Sequence, residues 1–236
     1  MDMFKNILQI TLKELQSELK INHDFIVGIY DEKNSWSFIS RFAQFNEGFF
    51  TNILVLHLNE KDTYGTISNL SQVARLNLAC DFKLISKNQK FLFLTVAEIR
   101  NDYIHNISNI EVSLPDYLKT LKTDRIKEIY KRFSYFALEE HPCTKEEFIE
   151  DCRHVIFTVC VLEISRIHGA IKNKIFQIKH AQRRAEQALR LLPQKAEGVL
   201  SVEDVFMVQD YIKQANEVLK KSGVYKAQFI KPPESA

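Results

Sequence analysis

The feature that most constrains this chain is how rarely its helical patterns are interrupted. Only six glycines and five prolines punctuate 236 residues, so long stretches carry nothing that breaks an α-helix and few positions suit β-turns. No proline occurs between Pro142 and Pro193, or within 36–59. Apolar residues recur at i, i+3 and i+4 through much of the remainder, as in Phe4, Ile7, Leu8, Leu12, Leu15 and Leu19, which marks amphipathic helices. The expected class is all-α.

With 45% apolar residues the chain can bury a full core, which excludes disorder as its main state. No run of about 18 uncharged apolar residues is present, and residues 1–20 lack the basic start and compact apolar stretch of a signal peptide. The expectation is a cytoplasmic protein with no membrane partner. Cys80, Cys143, Cys152 and Cys160 show no C-x-x-C spacing, and a chain of this size needs no disulfide staples. They are expected to be reduced, mostly buried thiols.

The periodicity predicts a first helix ending near Asn22, then a connection over 24–35 marked by Gly28, Asp31 and Asn34, with a short extended piece at Phe25, Ile26 and Val27. A long second helix is predicted over 36–59, with Phe42, Phe45, Phe49, Ile53 and Leu56 on one stripe. Asn46 lies near the centre of that stripe and Glu47 at its edge, where polar groups need partners. One helix follows Gly65 and Thr66, carrying Ile67, Leu70, Val73, Ala74 and Leu78. The S-x-x-Q capping box Ser86/Gln89 opens a fourth, with Leu92, Val96, Ile99 and Tyr103 inside. Pro115 starts a short helix to about Lys122, another covers 124–138, and His141-Pro142-Cys143 forms a loop. The capping box at Thr144 and Glu147 then opens either one very long helix or two broken near 169–173. A last helix begins at Ser201 and Asp204 and stops at Ser222-Gly223. The division expected from this reading is a helical bundle over 1–123, a C-terminal helical region with a basic long helix over 124–230, and a frayed tail over 231–236.

The residues best suited to chemistry are Arg100-Asn101-Asp102-Tyr103-Ile104-His105, in the last turn and a half of the fourth helix. Asn101 and His105, four apart, share a side of it, while Arg100 projects beside the apolar stripe. A guanidinium there must reach a cleft or meet an acid, and Glu47 is the candidate partner. Arginine, an amide and histidine together supply a planar cation, a neutral hydrogen-bonder and a group titrating near neutral pH. That set suits phosphodiester cleavage without a metal. Histidine would move the proton of a ribose 2′-hydroxyl or of the leaving oxygen, and arginine would stabilise charge on phosphorus. The spacing equally allows Arg100 and His105 simply to cap and solvate a helix end.

Arg100-Asn101-x-x-x-His105 late in a helix of an all-α bundle resembles the R-x(4–6)-H motif of the HEPN superfamily, in the form with a polar residue directly after the arginine. The stretch from Gly65 to Asn106 further resembles the mannitol-operon repressor family, through the turn Leu84-Ile85-Ser86 and the helix end from Ile99 to His105. The resemblance implies a HEPN-like helical bundle with an additional C-terminal helical extension, acting as a homodimer with the two motifs facing each other. It also implies a metal-independent endoribonuclease of toxin–antitoxin or antiviral systems, in which an antitoxin or regulatory protein is a natural partner. Carried over, Arg100 would stabilise the phosphorane, His105 would be the general acid/base, and Asn101 would position the phosphate. Glu47 joins this catalytic set from the residue pattern alone. One HEPN toxin branch carries a tyrosine two residues after the histidine; here that position is Ile107, so regulation through such a tyrosine is not supported. The mannitol-repressor branch implies a different role, a non-catalytic transcriptional regulator or protein-interaction module.

Charge is uneven along the chain. From Arg166 to Lys195 there are eight Lys/Arg (Arg166, Lys172, Lys174, Lys179, Arg183, Arg184, Arg190, Lys195) against Glu186 alone, leaving the rest net acidic. Such a run either forms a solvated face or holds a nucleic-acid backbone through phosphate contacts; Lys172, Lys174, Lys179, Arg183 and Arg184 are the candidate RNA contacts. Phe176 is the single aromatic there, so the sequence does not support a base-stacking platform. His141, Cys143, Cys152 and His154 match no familiar zinc spacing. Glycine-rich phosphate loops and G-x-S-x-G elbows are absent from the sequence, so no cofactor and no metal is expected.

Overall fold

Apolar residues at helical spacing, capped by Ser, Thr and Asn, give an all-α protein. The computed structural model describes residues 10–58 except 14, 18 and 20, then 61–136, 144–195 and 206, 209, 210, 213, 214 and 217, with side chains in the long C-terminal helix described as far as 184. The described residues contain helices and no strand. The named elements are α1 (His23–Tyr30), α2 (Ser35–Leu58), α3 (Tyr64–Ser68), α4 (Gln72–Asp81), α5 (Lys87–Ile104), α6 (Leu114–Thr120), α7 (Thr123–Ser134), α8 (Lys145–Glu150) and α9 (Cys152–Lys195). Short 3-10 turns at Lys61–Thr63 and Ile107–Glu111 interleave with them. The chain divides into two compact units between His168 and Gly169. The boundary expected at 123/124 is therefore not the observed one: α7 packs on α5, and α8 on α6 and α7, so the bundle needs these later helices. The predicted last helix and the 231–236 tail fall largely or wholly outside the described residues, as does His141-Pro142-Cys143.

α2 is the centre of the first unit. Phe38, Ile39, Phe42, Phe50, Ile53 and Leu54 are fully buried along it, and it packs against α1, α3, α4 and α5. Phe42 lies on Phe157 of α9, ring centroids 5.4 Å apart. Phe50 meets Phe93 of α5 edge to face at 4.8 Å. Each such ring contributes roughly 1.5–3 kcal/mol by burial, plus about 0.5–1.5 kcal/mol where rings meet. Within α9, Cys152–Arg184 is long and apolar enough to cross a membrane by length and composition. Its apolarity has a simpler use, because Ile156, Phe157, Cys160, Val161 and Ile164 are buried in this core.

Three element assignments differ from expectation. Residues 23–30 form a helix rather than an extended connection: the Asn22 side chain caps it by accepting from Asp24 N at 3.0 Å, and Ile26 and Ile29, three apart, are buried. The single helix after Gly65 is two, because Ser71 starts α4 anew by accepting from Ala74 N. The long C-terminal helix starts at Cys152, after a break at Asp151 (φ −112°, ψ 27°), and runs without interruption through 169–173. The break lets Phe148 turn onto Phe133 and Tyr130 while Cys152 and Ile156 continue the core of α9.

The turn between α4 and α5 is built from two caps back to back. Lys83 takes a left-handed φ of 56°; its N–H bonds the Cys80 carbonyl at 3.0 Å and the Leu84 N–H bonds the Ala79 carbonyl at 2.9 Å, the paired bonds of a Schellman ending. Leu84 and Ile85 are buried, and the Ser86/Gln89 capping box then opens α5 with both reciprocal bonds formed. Gln89 also donates from Nε2 to the buried Glu163 on α9 at 2.8 Å, tying the start of α5 to the core. Lysine in a left-handed conformation costs about 1 kcal/mol relative to glycine. Lys83→Gly is expected to raise stability by up to that amount, visible as a higher urea midpoint at unchanged m.

Arg75 of α4 is a buried cation. Its Nη2 donates to the carbonyls of Ser68 (3.1 Å) and Leu70 (2.7 Å), and its Nη1 to the Glu47 carbonyl (3.3 Å) and carboxylate (3.5 Å). One side chain thus holds the α3–α4 junction onto α2. Arg75→Ala leaves those carbonyls without their donor and should cost about 3 kcal/mol or more. Arg75→Lys should recover only part of this, since an ammonium lacks the planar fork; chemical denaturation of both variants measures the difference.

Candidate functional site

Arg100 to Ile104 close α5 and His105 is its C-cap, with backbone φ −66° and ψ −15° and its N–H bonded to the Asn101 carbonyl at 3.0 Å. The helix ends here because Asn106 caps the succeeding 3-10 turn, its Oδ1 accepting from Ser108 N (3.2 Å) and Oγ (2.8 Å). Tyr103 anchors the whole motif. It is fully buried, its hydroxyl donates to the Val112 carbonyl, its ring lies 4.9 Å from that of Tyr117 on α6, and its own carbonyl accepts from Asn109 Nδ2 at 3.1 Å. Asn34 donates to the Ile110 carbonyl (3.1 Å) and Ser35 Oγ accepts from Leu114 N (3.1 Å). The segment after His105 is therefore tied to the start of α2.

On this anchor the polar residues face outward. Asn101, Asp102 and His105 are exposed and Arg100 is half-buried. Arg100 Nη1 donates to Asn101 Oδ1 at 2.9 Å, while its Nε is buried with no protein acceptor. Among the described residues no carboxylate pairs with Arg100. The expected Glu47 partnership is corrected here: Glu47 pairs with Arg75, which reaches it from α4 and also takes its backbone carbonyl. Glu47 is thereby committed to a structural contact. Asp102 raises the Tyr117 pKa as a secondary cause behind burial of that phenol.

A charge network braces α5 two residues before the motif. Glu98 accepts from Arg125 at 2.8 Å and from Arg132 at 3.3 Å, both on α7, and Glu128 pairs with the same two arginines. The Glu128 carboxyl is held below its ordinary value, chiefly by the hydrogen bond from Arg125. Arg75, this network and the anchoring role of Tyr103 were not identified as functional supports from the sequence. Arg75 and Leu76 stand three to four residues before the buried Ala79, a spacing that already places the arginine on the covered face of α4.

The basic run lies on α9 in the second unit. Lys172, Phe176, Lys179 and Arg183 repeat at helical spacing and are all exposed, with His180 beside them and Arg184 at the edge. Lys174 departs from expectation: it falls on the opposite stripe with Ile171, Ile178 and Ala181 and is half-buried, because two residues carry the helix about 200° around. The motif and the basic face thus belong to different units.

Among the described residues no group of histidine, cysteine or carboxylate side chains is arranged to hold a metal. Cys80, Cys152 and Cys160 are free thiols. Burial pushes Cys152 up to about 12 and Cys160 well above its ordinary value, so both are poor nucleophiles. The chain matches no protein-family model, no curated protein and no solved structure.

Burial raises the pKa of Tyr103 above 10, offset in part by a hydrogen bond with Ser35. The native phenol holds its proton more tightly than the unfolded one. Its contribution to stability is therefore complete below the unfolded value of about 10 and is lost as pH rises through the native value. Tyr103→Phe should cost roughly 1–2 kcal/mol at neutral pH through the orphaned Val112 carbonyl. It should also flatten, without abolishing, the fall of stability above pH 10, because Tyr117 titrates in the same sense. Denaturant melts at pH 7 and from pH 9.5 to 11 test both.

Proposed function

We propose that this chain is a metal-independent endoribonuclease of the HEPN type, working as a homodimer in a toxin or antiviral-defence role. The observation that carries the proposal is Arg100: a half-buried guanidinium with no acid partner among the described residues, steered by Asn101 and five residues ahead of the exposed, helix-capping His105. An arginine kept from a counter-ion is suited to receive one, and a phosphodiester matches its planar donors. His105 stands on an anchored backbone with its imidazole exposed to solvent, where a substrate can reach it.

In this reading the ribose 2′-oxygen attacks the adjacent phosphorus, the bond to the 5′-oxygen breaks, and the products are a 2′,3′-cyclic phosphate and a 5′-hydroxyl. One proton leaves the 2′-hydroxyl and one is delivered to the 5′-oxygen. A single imidazole performs one of these transfers at a time, so a second copy supplying its own His105 completes the pair. Arg100 stabilises the charge that grows on the phosphoryl oxygens, and Asn101 holds Arg100 and offers its amide N–H to phosphate. The apolar surface next to the motif supports assembly: Ile107 is 79% exposed and Ile110 40% exposed, immediately after His105.

The same exposed isoleucines favour the second reading, a non-catalytic regulator or interaction module like the mannitol-operon repressors, in which this surface holds a partner. Incubation with total RNA in excess chelator separates the two. Cleavage leaving 2′,3′-cyclic ends is expected, reduced by about 10² or more in His105→Ala and in Arg100→Ala with ellipticity unchanged. Intact RNA at every protein concentration overturns the nuclease in favour of the regulator.

A further inference from the structure

Phe176 is 67% exposed on α9, and what sets it apart is the cationic company it keeps. It does not sit in an apolar patch. Lys172 precedes it by one turn, and Lys179 and Arg183 follow at the spacing that keeps them on the same face. His180 lies against it, ring centroids 6.0 Å apart and tilted by 32°. The opposite stripe, Ile171, Ile175, Ile178 and Ala181, is buried or half-buried, so the mixed face is the exposed one.

We infer that this face captures single-stranded RNA, with the ring of Phe176, backed by His180, stacking on one unpaired base while Lys172, Lys179 and Arg183 take the flanking phosphates. Charge complementarity selects a polyanion. The exposed ring selects among polyanions: a duplex keeps its base faces stacked on one another and offers the ring nothing, whereas a single strand presents them. The choice of RNA rests on the nuclease reading, and the inference deepens it by giving the chain a preference for unpaired substrate, held by residues separate from the Arg100/His105 motif.

The test uses the full-length His105→Ala protein, so that the RNA stays intact whether or not the wild type cuts it, and success or failure of binding is read separately from cleavage. Fluorescence anisotropy is measured with a labelled 20-nucleotide unstructured RNA, with the same strand annealed to its complement, and with anionic phosphatidylserine vesicles. Tighter binding of the single strand is expected. Adding Phe176→Ala should weaken it by roughly 5- to 150-fold, the worth of one stacked base, with little effect on the duplex. Adding Lys179→Gln and Arg183→Gln should lower the salt slope of log K by roughly 1.4, about 0.7 for each lost phosphate contact. Equal affinity for both RNAs with no effect of Phe176→Ala, binding indifferent to the two charge removals, or binding to vesicles but not RNA would each overturn the inference.

Discussion

The packing of α2 against α5 is the constraint on which the first unit depends. α2 is apolar over so much of its circumference that it can exist only when surrounded, and α5 supplies one wall through Phe93, Val96, Ile99 and Tyr103. α5 is tied at its start by a capping box, with Gln89 reaching the buried Glu163, and at its end by the buried Tyr103. Arg100, Asn101 and His105 stand on the backbone that these contacts position. The site is held by backbone and core contacts, while its polar side chains remain largely free of them.

The two buried arginine arrangements illustrate how similar groups come to different ends. Arg75 is enclosed, with both terminal nitrogens engaged by three carbonyls and Glu47, so it serves as a clamp and its burial keeps it from a ligand. Arg100 is half-enclosed, held only by a neutral amide, and keeps its charge uncompensated among the described residues. Burying a cation without an anion is costly, and partial exposure is what makes Arg100 tolerable. The same partial exposure leaves it able to meet a phosphate. This contrast separates the two arginines more sharply than any property of the residues themselves.

Among the described residues, some buried polar atoms without partners lie within this core. Both amide atoms of Asn46, on the inner face of α2, lack a hydrogen-bond partner, as does the hydroxyl of Thr158 on α9. Each costs of order 1–3 kcal/mol in desolvation. The aromatic packing around them, Phe42 on Phe157 and Phe50 on Phe93, is what outweighs that cost.

Much of the architecture was legible in the chain itself: the all-α class, α2 to within a residue or so, both capping boxes, the end of α5 at His105 and the short helix opened by Pro115. These depend on local pattern, since a capping serine or a 3.6-residue apolar stripe acts through neighbours in sequence. Where local signals conflicted, the reading failed. Gly28, Asp31 and Asn34 suggested a loop, yet burial of Ile26 and Ile29 favoured the helix α1; Ser71 divided a continuous apolar pattern; Asp151 broke α8 from α9 so that Phe148 could pack on Phe133. In the site, the residue types and their order along α5 were set by sequence alone. Only the tertiary structure decided that Glu47 belongs to Arg75 and that Phe176 stands in solvent. Pairing and exposure depend on which distant helices arrive alongside, and no local periodicity encodes that.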